Sequence, residues 1–410
     1  MPVIFPFNGY LVSPDHATEV VTPPYDQLTP AERHEFAQTH TNNYINTMRT
    51  TEEYEDKTLT VDTVLKGNAA KLQALLNNGI FVESGKPCLY LYRLAADEHE
   101  QIGVVAEIPI DDYAHGVLKK HEHTRNEHED NLTRYHEVVG ASSSPVCVAY
   151  KEDKEISTFI RSLAEAKPDL DFTLDDGLSQ SLWCIEDEAV QKKLIELFGK
   201  IPETYLTDGH HRAASGLRYA VKCRARHPDY TGDEPFNYLL VAMFADEVLR
   251  ILPWHRCVQD LNGHDPVTIL RAIEKDFLVD QMPGAAQPQQ PREFTMLLDG
   301  QWYRLMLRSG FLIPEDPVDS LDVSILQNEI LKPVFGINDP RTDSRLANIP
   351  GAAGISALEE KIRQGWSVAF CCYNTSIQEL MAVADADQVM PPKSTWLDPK
   401  VRSGIFVRMR

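Results

Sequence analysis

"TDGHHRAASG", residues 207–216, sets an acid, a glycine, two histidines and an arginine in one run and then turns directly into alanines. The stretch ahead of it, "IPETYL", is short, apolar and closes on Tyr205 and Leu206, as the end of a buried strand does. Behind it Ala213, Ala214, Leu217, Ala220 and Val221 recur at helical spacing, and Pro228 bounds the helix. The polar cluster therefore falls on a strand-to-helix turn. The first amides of a helix lack intrahelical partners and its dipole adds partial positive charge there, so such a turn favours an anion. Gly209 is the residue able to take a positive φ and let a ligand approach the main chain, and Arg212 offers a planar fork suited to phosphate or carboxylate. Asp208 has two readings: it caps the helix, or it holds a metal ion or takes a proton.

A second turn has the same character. "VLKKHEHTRNEHEDNLTRYHEVVG", residues 117–140, carries four of the chain's 14 histidines, at 121, 123, 128 and 136. Asn126 with Glu129 makes a capping-box pattern, and Leu132, Tyr135 and Val139 supply an apolar stripe, which predicts a helix from about 127 with its remaining charge solvated. Lys120, His121, Glu122, His123 and Thr124 fall ahead of that helix, on the turn after a strand ending near "IPIDDY". An acid, histidines and a cation at a helix entrance are costly to bury unless a ligand or each other satisfies them, so the two turns are expected to share one cleft. Zinc fits poorly, because neither His121-x-His123 nor His210-His211 has the i, i+4 spacing of a helical zinc site and no third ligand is marked. Mg²⁺, held by one or two carboxylates and substrate phosphates, fits Asp208 and Glu122 better.

Near the C-terminus "MPPKST", residues 390–395, invites a P-loop reading, but the preceding "ADQVMPP" has no glycine to wrap a phosphate. Lys393, Ser394 and Thr395 then reach a phosphate from a proline-stiffened loop, or Lys393 is an ordinary surface lysine. No dinucleotide glycine fingerprint or nucleophile elbow is present.

The 410 residues include 40 Lys and Arg against 61 Asp and Glu, a net charge of −21, which repels nucleic acid and anionic membrane surfaces. Neither is expected as a partner. The opening lacks a basic-then-apolar leader, no segment reaches the ~18 apolar residues of a membrane span, and the seven cysteines are odd in number and scattered. A soluble, cytoplasmic protein with reduced thiols follows; homo-oligomerisation is left open. Thr29 and Pro30 start one helix, Gly79 ends another, "CLYLYRL" and "QIGVVAEIPI" pair as antiparallel strands, and Asp299-Gly300 turns a hairpin. The class is α+β, with mixed sheets and helices. Residues 1–280 are expected to form the N-terminal and central region with both histidine-rich turns, 281–293 a linker or exposed loop, and 294–410 a C-terminal α+β region with "MPPKST".

Five motifs in order, "PFNGY" (6–10), "TPPYD" (22–26), "KKHEHT" (119–124), "DGHHR" (208–212) and "MPPKST", resemble those of Domain of Unknown Function family 1015 over almost the whole chain. More distantly, "DGHHR" is similar to the Asp-Gly-His-Thr-Arg signature of free L-serine kinases, with His211 in place of the threonine. That resemblance implies a ParB/sulfiredoxin-like nucleotide- or phosphate-binding core, Mg²⁺, and phosphoryl transfer from pyrophosphate, ATP or ADP to free L-serine. It implies that His210, His211, Arg212 and the amides after Gly209 hold donor phosphates and that Lys120 and Lys393 neutralise developing charge. His121, His123, Thr124, Ser394 and Thr395 complete the phosphate- and substrate-binding set. Glu122 is favoured as the base, with Asp208 nearer the metal and His210 beside them. The alternatives are a metal-dependent phosphatase of phosphoserine or a related ester, and a nucleotide-binding regulator without turnover.

Overall fold

Runs of apolar residues in the 88–110 region build two long strands, β1 (Leu89–Ala96) and β2 (His99–Pro109), joined antiparallel around a tight turn at Asp97. The structure, a computed structural model, describes residues 2–410. It divides into two compact units, one running through Leu249 and taking back Pro399–Arg410, the other Arg250–Asp398.

In the first unit β1 and β2 lie within an eight-stranded mixed sheet with β3 (Leu118–Lys119), β4 (Val146–Tyr150), β5 (Leu170–Thr173), β6 (Ser179–Ile185), β7 (Thr204–Asp208) and β8 (Tyr238–Ala245). The strand order is β3-β7-β4-β8-β2-β1-β6-β5. β7 runs parallel to β3 and antiparallel to β4, and β8 runs parallel to β4. The central strands are apolar on both faces, as buried strands are: β4 is buried at every position and β8 at all but its first. The Pro30–Thr39 helix starts in a Thr29–Glu32 capping box, and Val61–Asn77 ends before Gly79, whose φ is +69°. The C-terminal strand Phe406–Met409 pairs with Tyr10–Val12 and with Ala141–Ser142, which draws residues 399–410 into this unit.

The second unit has a six-stranded sheet of β9 (Trp254–Val258), β10 (Phe277–Met282), β11 (Glu293–Leu298), β12 (Gln301–Leu307), β13 (Leu346–Pro350) and β14 (Val368–Cys372), ordered β10-β12-β11-β14-β9-β13. Asp299 and Gly300 both take positive φ between β11 and β12, the backbone that a two-residue hairpin demands. Residues 281–293 form the exposed loop of their two readings. They end β10 and cross, mostly exposed, to β11 of the same sheet, while the unit boundary falls at 249/250. The Gln- and Pro-rich composition marked an exposed crossing loop rather than a hinge between cores. All seven cysteines are thiols, with Cys371 and Cys372 buried in β14.

Candidate functional site

β7 ends in a bulge. Its register with β4 shifts between Leu206 and Asp208, and the Thr207 hydroxyl donates to the Cys147 carbonyl at 3.1 Å. A bulge re-aims the side chain that follows it, and here that residue is Asp208. Gly209 comes next at φ +98° as the N-cap of helix α2 (His210–Arg226), and no side chain caps the helix. Asp208 is thus not the cap. The backbone at Gly209 favours glycine, and a Cβ there would lie 3.0 Å from the Arg212 guanidinium and press on it.

Arg212 folds back over the turn. Its Nη1 donates to the Ser144 and Pro145 carbonyls at 3.1 and 2.6 Å, and its Nη2 to Asp208 Oδ2 at 2.5 Å. The fork, read from the sequence as suited to phosphate or carboxylate, is engaged by protein acceptors, one of them the Asp208 carboxylate, so Arg212 offers the site its charge rather than its fork. The other Asp208 oxygen, Oδ1, accepts from Lys400 Nζ at 3.1 Å. Burial works to raise the Asp208 carboxyl, but Lys400 and Arg212 outweigh it and hold it down to about 2.

The two histidine-rich turns meet. The His121 and His210 rings stand edge-on, 4.5 Å between centroids, and both side chains are buried, at 1% and 4% exposure. Neither ring nitrogen of His121 and not Nε2 of His210 has a hydrogen-bond partner. Burial pushes His121 down to about 4; the Leu206 backbone, short of hydrogen-bonding geometry, and the Asp208 charge oppose that only in part. Burial first, then the neighbouring His121, hold His210 well below the usual range. Both rings are therefore neutral at pH 7. Glu122 Oε2 lies 3.6 Å from His210 Nδ1, with its own side chain 55% exposed. On the outer side His211 Nε2 accepts from the Arg125 amide at 3.1 Å, and its ring lies 5.2 Å from that of His128.

The remaining candidates are placed as follows. Lys120 is exposed with Nζ 5.3 Å from the Tyr113 ring centre, His123 is exposed, and the Thr124 hydroxyl donates to Glu129. Helix α1 (Asn126–Val139) starts with Arg125 as N-cap and without the expected Asn126–Glu129 box. Glu129 is instead engaged by Thr124 and by Arg218 of α2, and the Asn126 side-chain Oδ1 accepts from Arg218. The buried face of α1 is correspondingly polar, Glu129, Thr133 and His136 with Val139, where the sequence suggested an apolar stripe through Leu132 and Tyr135. Lys393, Ser394 and Thr395 belong to the second unit. There Lys393 takes a positive φ with Nζ 4.5 Å from the Trp254 ring centre, and the loop carbonyls accept from Arg256, Thr375 and the Trp254 indole.

Lys400 is the site residue that sequence reading missed. It lies 192 positions from Asp208, in "WLDPKVRSG", with no local pattern to mark it. Its presence bears on the metal. Among the described residues no group of three His, Cys, Asp or Glu is arranged to hold an ion, and both Asp208 oxygens are taken by cations. A divalent ion bound there would have to displace Arg212 or Lys400 from Asp208. The residues at Asp208 do not fit a protein-held Mg²⁺.

The chain belongs to the family described as "Protein of unknown function (DUF1015)", which it matches over residues 4–324. No curated protein matches it. Among solved structures it is similar to a free serine kinase mutant in complex with AMP, at 11% identity over 73% of this chain and 91% of that one, with a TM-score of 0.36. It is also similar to a conserved hypothetical protein from Pyrococcus furiosus (12% identity, 74% and 94% covered, TM-score 0.32) and to SbnI with C-terminal truncation from Staphylococcus aureus (11%, 73% and 85%, TM-score 0.38). No helix among the described residues is long and apolar enough to cross a membrane.

Proposed function

We propose that the chain transfers a phosphoryl group from a polyphosphate donor to a small hydroxyl substrate, free L-serine first among them, at the turn 208–212, within a core of the ParB/sulfiredoxin type. The observation that carries this reading is the pair of buried, neutral imidazoles, His121 and His210, with unpaired nitrogens at the uncapped entrance of a 17-residue helix. Buried polar atoms are almost always satisfied, and those that are not mark places where a ligand completes the bonding. The likeness of "DGHHR" to the serine kinase signature supports a phosphate as that ligand.

Phosphoryl transfer asks a protein mainly for positioning and charge neutralisation. The amides following Gly209 and the His210 ring hold the donor phosphates, with positive charge from Arg212 behind them. Glu122, the more exposed acid, takes the serine hydroxyl proton; Asp208, held at about 2, is too weak a base near neutral pH. The test is incubation with Mg²⁺ salts of ATP, ADP or pyrophosphate, with and without serine. Phosphoserine formed only when serine and a donor are both present is the expected result. Phosphate released from phosphoserine without a donor, or donor binding without consumption, overturns it.

A further inference from the structure

We propose that Lys400 is part of the anion site at the 208–212 turn and that this site takes a polyphosphate without a protein-held divalent ion. The inference rests on reading the turn as a phosphate site and adds what carries the charge there. Two cations, Arg212 and Lys400, bracket one carboxylate, Asp208, and engage both of its oxygens. The two cations sit beside α2's N-terminus, whose partial positive charge has the same sign. The two imidazoles add no charge while neutral, and Glu122, which faces His210, stands half-exposed. Two cations at an uncapped helix entrance favour a polyanion and leave Asp208 no oxygen open to Mg²⁺.

The second observation is independent of charge. His121 and His210 are both more than nine-tenths buried, and three of their ring nitrogens lack partners. A neutral imidazole can donate through one nitrogen and accept through the other, so phosphate oxygens can satisfy them as they stand. Lys400 reaches the cluster because the C-terminal segment returns to the first unit, held by Phe406–Met409 pairing with Tyr10–Val12. Its side chain is only 12% exposed, the burial of a lysine seated in a site rather than on a surface.

The experiment measures pyrophosphate binding to the full chain by titration calorimetry, once in EDTA and once in excess Mg²⁺. Binding in EDTA with a Kd within about threefold of that in Mg²⁺ is expected, and Lys400→Met should weaken the EDTA value at least tenfold. Lys400→Arg, which keeps the charge, should bind within a few-fold of wild type. Binding seen only with Mg²⁺, no binding in either condition, or unchanged binding by Lys400→Met overturns the inference. The wild-type arms decide the metal question even if Lys400→Met does not fold. Metal-independent binding without phosphoserine formation would remove the proposed reaction and leave this site; product formation with binding only in Mg²⁺ would do the reverse.

Discussion

His121 and His210 come from turns 89 positions apart in the chain, yet their rings meet edge to face with the planes at 88°. Each lacks at least one hydrogen bond its nitrogens could make. A buried polar group left unpaired costs about 1–3 kcal/mol, while an apolar group of similar shape costs nothing of that kind. His121→Leu should therefore gain about 1 kcal/mol of stability, a rise of a few degrees in melting temperature, while turnover falls ~10²-fold or more. Thermal denaturation and phosphoserine formation, measured on the same preparation, test this. A variant that is both less stable and fully active would show the ring to be scaffolding.

How much of this was legible in the sequence depended on how local the cause was. Thr29 with Pro30, and Asp299 with Gly300, fix backbone within a few residues, and both are found as read. Asn126 and Glu129 made an equally local pattern, but Arg218 from α2 bonds both, and the box does not form. The turn at 207–216 was readable because strand, glycine and helix follow one another. Lys400 was not, because its partner is reached only when the C-terminal strand returns to the first unit. The Gln- and Pro-rich stretch is the exposed loop that was one of its two readings; composition reports exposure, not which sheet its ends belong to.

The same two imidazoles predict an acid-sensitive fold. Burial holds His121 at about 4 and His210 lower than usual, while the unfolded chain binds those protons near 6.5. The folded state thus carries fewer protons, and its stability is complete above about pH 6.5 and declines as pH falls toward 4. For His121 alone the loss is roughly 3 kcal/mol. His136 and His255, also pushed down by burial, add to it in wild type. The comparison that isolates the site is urea midpoint against pH from 7.5 to 5 in wild type and His121→Leu. The variant should show the shallower slope; equal slopes would mean that His121 does not titrate as placed.

Gly209 and Gly79 make a matched pair. Both have positive φ, at +98° and +69°, but an added Cβ meets the Arg212 guanidinium at 3.0 Å in the first case and open space in the second. Backbone strain alone costs of order 1–3 kcal/mol. Gly209→Ala should cost more than Gly79→Ala and should also weaken pyrophosphate binding, because Arg212 must shift. Gly79→Ala should leave binding unchanged. Equal costs, with binding intact in both, would show that the contact with Arg212 is unimportant.

The acids divide the remaining question. Glu122 is half-exposed, so Glu122→Gln should change stability by no more than about 0.5 kcal/mol, yet lower kcat by ~10²–10⁴-fold as the loss of a general base does. Asp208→Asn removes the one carboxylate between Arg212 and Lys400 and leaves two cations facing each other. Breaking a buried ion pair costs ~3–5 kcal/mol, and partial exposure here reduces that to about 2 kcal/mol. The consequence for binding then separates two accounts of Asp208. As a metal ligand, its loss would weaken donor binding and Mg²⁺ dependence together. As the counter-charge in a cationic cluster, its loss raises the local positive charge, so pyrophosphate should bind at least as tightly as in wild type while the protein melts lower. Calorimetry of Asp208→Asn in EDTA gives the answer directly: a Kd equal to or below that of wild type, with reduced melting temperature, assigns Asp208 to the cluster, and a weakened Kd that recovers only with Mg²⁺ assigns it to a metal.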